Sequence, residues 1–157
     1  MDDGARREHP ANGRQHLVTE VGVGARQLLA GKPGEGDSPT QVAERATDAC
    51  ERLARHLSRL LGDLGVQMLF NRSVIIASAQ FPWLRATATS AQVPGAIAPA
   101  LRPVMEQQDS ETIVDAFVAI LTTLVGLLKR LIGDALVERL LHEVWPAVFV
   151  REVKDTP

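Results

Sequence analysis

Between Ile113 and Leu131 the chain offers almost no polar face. Ile113, Val114, Phe117, Val118, Ile120, Leu121, Leu124, Val125, Leu127, Leu128 and Leu131 point to every side of a helix drawn through them. A helix apolar on all sides is held in water only when other elements cover it. The spacing predicts a helix over about 111–132, capped by Asp109 or Ser110, with Glu111 in the first turn where the helix dipole favours an acid. The rest of the chain has to wrap this segment.

A second pattern supplies a natural partner. Val42, Ala46, Ala49, Cys50, Leu53, Leu57, Leu60 and Leu61 recur at helical spacing. Ser38 or Thr40 can cap that helix, and Pro39 suits its first turn. Gly62 should end it, and Asp63 should cap the next helix, over about 64–80. Gly133 and Asp134 repeat the break before a helix over 135–144, which Trp145-Pro146 ends. A shift of 71 residues lays Leu53 on Leu124, Leu57 on Leu128, Arg59 on Arg130, Leu60 on Leu131, Gly62 on Gly133 and Asp63 on Asp134. The pattern points to two helix–Gly-Asp–helix units, each with an apolar face that it cannot bury alone. Chance agreement between two amphipathic helices with ordinary stop and start residues is the competing account.

The remaining segments complete an all-α expectation, a five-helix bundle around the apolar helix. Residues 1–39 hold seven of the twelve glycines together with Pro10, Pro33 and Pro39, and read as a flexible N-terminal arm. Within that arm Leu17–Leu29 is apolar enough for a strand or a short docking helix. Phe81-Pro82-Trp83-Leu84 breaks the chain, 85–95 reads as a loop, and 96–108 as a shorter helix that Pro103 threatens to kink. The helical domain spans 40–150, and 151–157 is a polar tail.

With 45% hydrophobic residues the chain can build a core, and a net charge of −2 lacks the basic excess of a general nucleic-acid binder. The lone Cys50 cannot form an internal disulfide or a thiolate zinc site, which suits a reducing, cytoplasmic setting. The opening residues lack the apolar core of a secretion signal. Ala116–Leu128 is an uncharged run of thirteen residues, short of the roughly 20 needed for a membrane span. Arginines greatly outnumber the three lysines Lys32, Lys129 and Lys154, and alanine is abundant, as in proteins of GC-rich bacteria.

Motifs that would carry chemistry fail on specific residues. Gly31-Lys32 is not a phosphate loop, because Arg26 stands where the first glycine belongs and Pro33 replaces the Ser or Thr. His142-Glu143 begins a zinc-protease helix, but the second histidine position is Pro146. His9, His16 and His56 have no ligand spacing, so neither a metal nor a cofactor is expected. Asn71-Arg72-Ser73 matches a glycosylation sequon inside a helix of a chain without a secretion signal. Cys50 falls on an apolar helix face, where an inert thiol is expected.

Two clusters stand as candidate sites. Arg45, Arg52, Arg55 and Arg59 share one side of their helix and suit either solvent or an acidic partner, with Glu44, Asp48 and Glu51 diluting the charge. Phe81, Trp83, Trp145 and Phe149 lie near helix ends; they can plug the bundle or, at Phe81, Trp83 and Trp145, rim an apolar pocket. The strings Leu60-Leu-Gly-Asp63, Phe81-Pro-Trp-Leu84 and Leu140-Leu-His-Glu-Val-Trp-Pro146 resemble a group of uncharacterised bacterial all-helical proteins over about 45–146. That resemblance implies a helical fold and no activity, cofactor or partner. The expected function is a non-enzymatic helical interaction module, a cytoplasmic regulator or adaptor that binds another protein or a second copy of itself. A bundle holding a small apolar ligand is the alternative, and peripheral membrane association a more distant one.

Overall fold

The computed structural model describes residues 10–30, 38–90 and 97–149. Among them are six α-helices and no strand: α1 (Pro10–Leu29), α2 (Pro39–Ala77), α3 (Arg85–Ser90), α4 (Ile97–Glu106), α5 (Ser110–Ile132) and α6 (Asp134–Val144). A 3-10 turn, Pro82–Leu84, joins α2 to α3. The class is all-α as expected, but the count differs from five in three places.

First, the two helices expected on either side of Gly62 form one hydrogen-bonded element. Gly62 sits inside α2 with φ 76° and ψ 163°, and divides it into limbs 39–61 and 63–77. Second, α3 occupies the start of the expected 85–95 loop; Thr87 there is buried, so the segment packs rather than hangs free. Third, the arm expected over 1–39 contains α1. Val21, Ala25 and Leu29 recur every four residues, form one stripe, and are fully buried, chiefly against α5. Gly22 and Gly24 interrupt the apolar part of α1 and argued against a helix, yet Gly24 has a packing reason. A Cβ there would stand 2.5 Å from the Phe149 ring. The expected tail, 151–157, and the arm's 1–9 and 31–37 lie outside the described residues.

The apolar segment 110–132 takes its expected place. The most extensive helix–helix contact is α2 with α5, followed by α2 with α4 and α1 with α5. Ile113, Ala116, Phe117, Ile120, Leu121, Leu124, Val125 and Leu128 of α5 enter the core against Val42, Ala46, Leu53 and Leu57 of α2. By length and composition α2 and α5 could each cross a membrane, a test that core helices also meet. Pro103 lies in the interior of α4.

Several positions 71 residues apart share local geometry. Ser38 caps α2 by accepting from the Gln41 N–H, and Asp109 caps α5 by accepting from the Thr112 N–H. Pro39 and Ser110 then open limbs that both run 23 residues to a glycine. Gly133 has φ 88° and ψ 160°, nearly the geometry of Gly62. This corner of backbone space is essentially reserved for glycine. No heavy atom lies within 4 Å of a Cβ added at either glycine, so the backbone alone requires the residue. Buried residues also coincide: Val42 with Ile113, Ala46 with Phe117, Ala49 with Ile120, Leu53 with Leu124, Leu57 with Leu128, Val66 with Val137, and Phe70 with Leu141. The capping role expected of Asp134 is corrected. Gly133 itself is the N-cap of α6, and Asp134 sits in the first turn with its carboxylate 3.7 Å from Lys129 Nζ.

Candidate functional site

Two surface features emerge from this packing. The first is a cleft of about 360 Å³ where α1, α2 and the end of α6 meet. Arg45, Arg52 and Arg55 line it with Asp48 and Glu51. Leu28, Ala49 and Trp145 supply the apolar wall. The fold thus joins three arginines of the expected contact face to one tryptophan of the expected pocket rim. Arg59, exposed further along α2, stays outside.

The walls are fixed by specific bonds. Arg45 Nη1 donates to the Leu29 carbonyl at 3.1 Å, satisfying one of the open carbonyls at the end of α1. Trp145 is buried, its backbone N–H donates to the Leu141 carbonyl, and its ring lies 5.9 Å from that of Phe149. His142 Nδ1 donates to the Phe149 carbonyl at 2.7 Å and closes the turn. Among the described residues Arg52 and Arg55 make no ion pair, although Asp48 and Glu51 precede them at helical i,i+4 spacing. Arg102 of α4 has its pKa raised first by its hydrogen bond to Glu106, against some desolvation, and further by the charges of Glu44, Glu106 and, last, Asp48.

The rings of the expected rim fall into two pairs. Phe81 and Trp83 pair edge-to-face at 6.1 Å beside the 3-10 turn, while Trp145 pairs with Phe149 at the end of α6. No ring contact links the two pairs among the described residues. The pocket is also more polar than a site for a purely apolar ligand.

The second feature is an apolar stripe on the outer side of α2's second limb. Leu64 and Met68 are 66% and 64% exposed, and Ile75 and Ile76 about half exposed. They face away from Val66, Phe70, Ser73, Val74 and Ala77, which enter the core. Of the conspicuous exposed apolar residues on α5, only Leu131 appears, next to Gly133. Exposed large apolar residues are therefore concentrated on the second limb of α2 rather than on α5. The sequence hinted at it through Val74-Ile75-Ile76, more apolar than a one-sided helix needs. Beside the stripe, Asn71 Oδ1 is enclosed without a hydrogen-bond partner.

Cys50 is buried, and its thiol is pushed up to about 12, first by burial and then by the Glu51 charge. A thiol so poorly ionised is a packing group. Among the described residues no three His, Cys, Asp or Glu side chains come together as a metal site. Comparison with protein families, with curated proteins and with solved structures finds no match to this chain.

Proposed function

We propose that this protein is a non-enzymatic helical interaction module, a cytoplasmic adaptor or regulator, whose contact face is the outer side of α2's second limb. The observation that carries the reading is the contrast between equivalent positions. The chain is read as two repeated helix–glycine–helix units, supported by the matched caps, glycine geometry and buried positions. At the 71-residue offset, Leu64, Met68 and Ile75 correspond to Ala135, Arg139 and Pro146. The second unit carries there only the small Ala135, an arginine, and a proline beyond the end of α6, so packing within the chain does not require large apolar side chains at these positions in the first. Exposed apolar patches of this kind mark interaction sites.

The partner we favour is a second copy. Leu64, Met68, Asn71 and Ile75 are spaced by four, three and four residues, the a/d rhythm of a helix seam. That spacing reads the same in both directions. An antiparallel twofold pair sets Leu64 against Ile75 of the second copy and Met68 against its Asn71, in one register for all four layers. One polar residue in such a seam favours a single register at some loss of stability. An interface between identical patches is what closed dimers use.

Sedimentation velocity tests the reading. The wild-type chain should form a dimer at micromolar concentration, and Met68→Arg with Ile75→Glu should give a folded monomer of unchanged helical circular dichroism. A monomeric wild-type chain, or an equally dimeric variant, removes the proposal.

A further inference from the structure

We infer that the cleft between α1, α2 and the end of α6 is a binding site for a small amphipathic monoanion, with one carboxylate-type head and a compact apolar body. The inference is independent of the dimer, because none of the cleft residues belongs to the second limb of α2.

Size and construction support it. A cleft of about 360 Å³ falls in the range of small-molecule sites. Its walls are ordered before anything binds: Arg45 is bonded to the Leu29 carbonyl, and Trp145 is packed on Phe149. Pre-ordered walls reduce the entropy lost on binding. Against them stand Arg52 and Arg55, three residues apart and therefore neighbours on the helix surface, with no ion pair among the described residues. Two adjacent guanidinium groups present the planar donor sets that carboxylates accept.

Charge selects the class further. The cleft holds three arginines and two acids, so it carries a single net positive charge. One anionic head fits that balance, whereas a phosphodianion or a nucleic-acid strand would meet Asp48 and Glu51 at close range. A cation would meet the guanidinium majority. A wholly apolar ligand would leave Arg52 and Arg55 covered and unpaired, which is costly. Leu28, Ala49 and the Trp145 indole receive the apolar body of the ligand.

Titration calorimetry of the full chain is the test, with 2-naphthoate and octanoate as amphipathic probes. The alcohol 2-naphthylmethanol provides the same body without charge, and inorganic phosphate the charge without a body. At least one carboxylate should bind saturably with one site per chain. The alcohol should bind at least about ten-fold more weakly, the loss expected for a charge-assisted hydrogen bond. Phosphate should show no saturable binding. Arg52→Gln with Arg55→Gln should weaken the carboxylate by a similar factor while melting like the wild type, since both side chains are exposed. Arg59→Gln, outside the cleft, should leave binding unchanged. The inference is overturned if neither carboxylate binds, if the alcohol or phosphate binds as well as the carboxylate, or if the double variant binds like the wild type.

Discussion

The second limbs of the two helix–glycine–helix segments differ more than the first. Over 39–61 and 110–132, caps, length and buried positions correspond. Past the glycines the chain diverges: the limb 63–77 exposes Leu64, Met68, Ile75 and Ile76, whereas α6 sets Glu138, Arg139 and Glu143 outward and exposes Leu136 alone among large apolar residues, at 37%. The core is thus met by the same kind of residue in both segments, and the difference is confined to the side that the core does not use. Packing sets the shared pattern; the unshared one lies on the solvent side.

The largest losses are expected in the core. Leu53→Ala and Leu124→Ala remove fully buried side chains at equivalent positions, and each should cost about 2–5 kcal/mol in chemical denaturation. A loss at one position and none at the other would show that the two first limbs are not equivalent. Next come the glycines. Gly62→Ala and Gly133→Ala force a Cβ into backbone geometry that costs on the order of 1–3 kcal/mol, and the two losses should be similar.

Exchanging the outer faces sharpens the comparison from the other side. Met68→Arg places in the first segment what the second carries at the offset position, and should change monomer stability by no more than about 0.5 kcal/mol while abolishing association. Arg139→Met should leave association through α2 intact.

The smallest effects are those of titration. The Cys50 thiol is raised from 9.0 to about 12 in the folded chain, so its contribution to stability is complete below pH 9.0 and fades as pH rises toward 12. Native Cys50 should resist a thiol reagent at pH 8 and react once the chain is denatured. Asp109 runs the opposite way. Its carboxylate is held below 3.8, first by the hydrogen bond from Thr112, so its stabilisation is present above that pH and is lost as pH falls further. The start of α5 should accordingly lose amide-exchange protection in acid before the middle of the helix does.

Much of this architecture was legible in the chain. The buried helix 110–132, its pairing with α2 and both glycine corners follow from periodicity and from residue types that act locally. α1 was hidden because its reason for being helical is distant: Gly22 and Gly24 weaken it alone, and Phe149, more than a hundred residues away, makes Gly24 useful. α3 was hidden because small polar residues resemble a loop until Thr87 is seen to be buried. Of the candidate site, the arginine face was visible as a helical stripe. Its meeting with Trp145 and Leu28 was not, since that depends on where α6 and α1 end in space. The outer face of α2's second limb was present as the four-three-four spacing of Leu64, Met68, Asn71 and Ile75, but spacing alone does not say which of two faces of a limb meets the core.

The central claim is the pairing of second limbs in the register Met68 with Asn71 of a second copy. Cross-linking with one cysteine per chain reads this register. In a Cys50→Ala background, separately prepared Met68→Cys and Asn71→Cys chains should oxidise to a disulfide-linked dimer on a non-reducing gel when mixed, with Arg139→Cys chains as the control on the other segment. Dimer from the mixture and monomer from the control is the predicted result. A mixture that stays monomeric, or a control that cross-links equally well, contradicts the pairing.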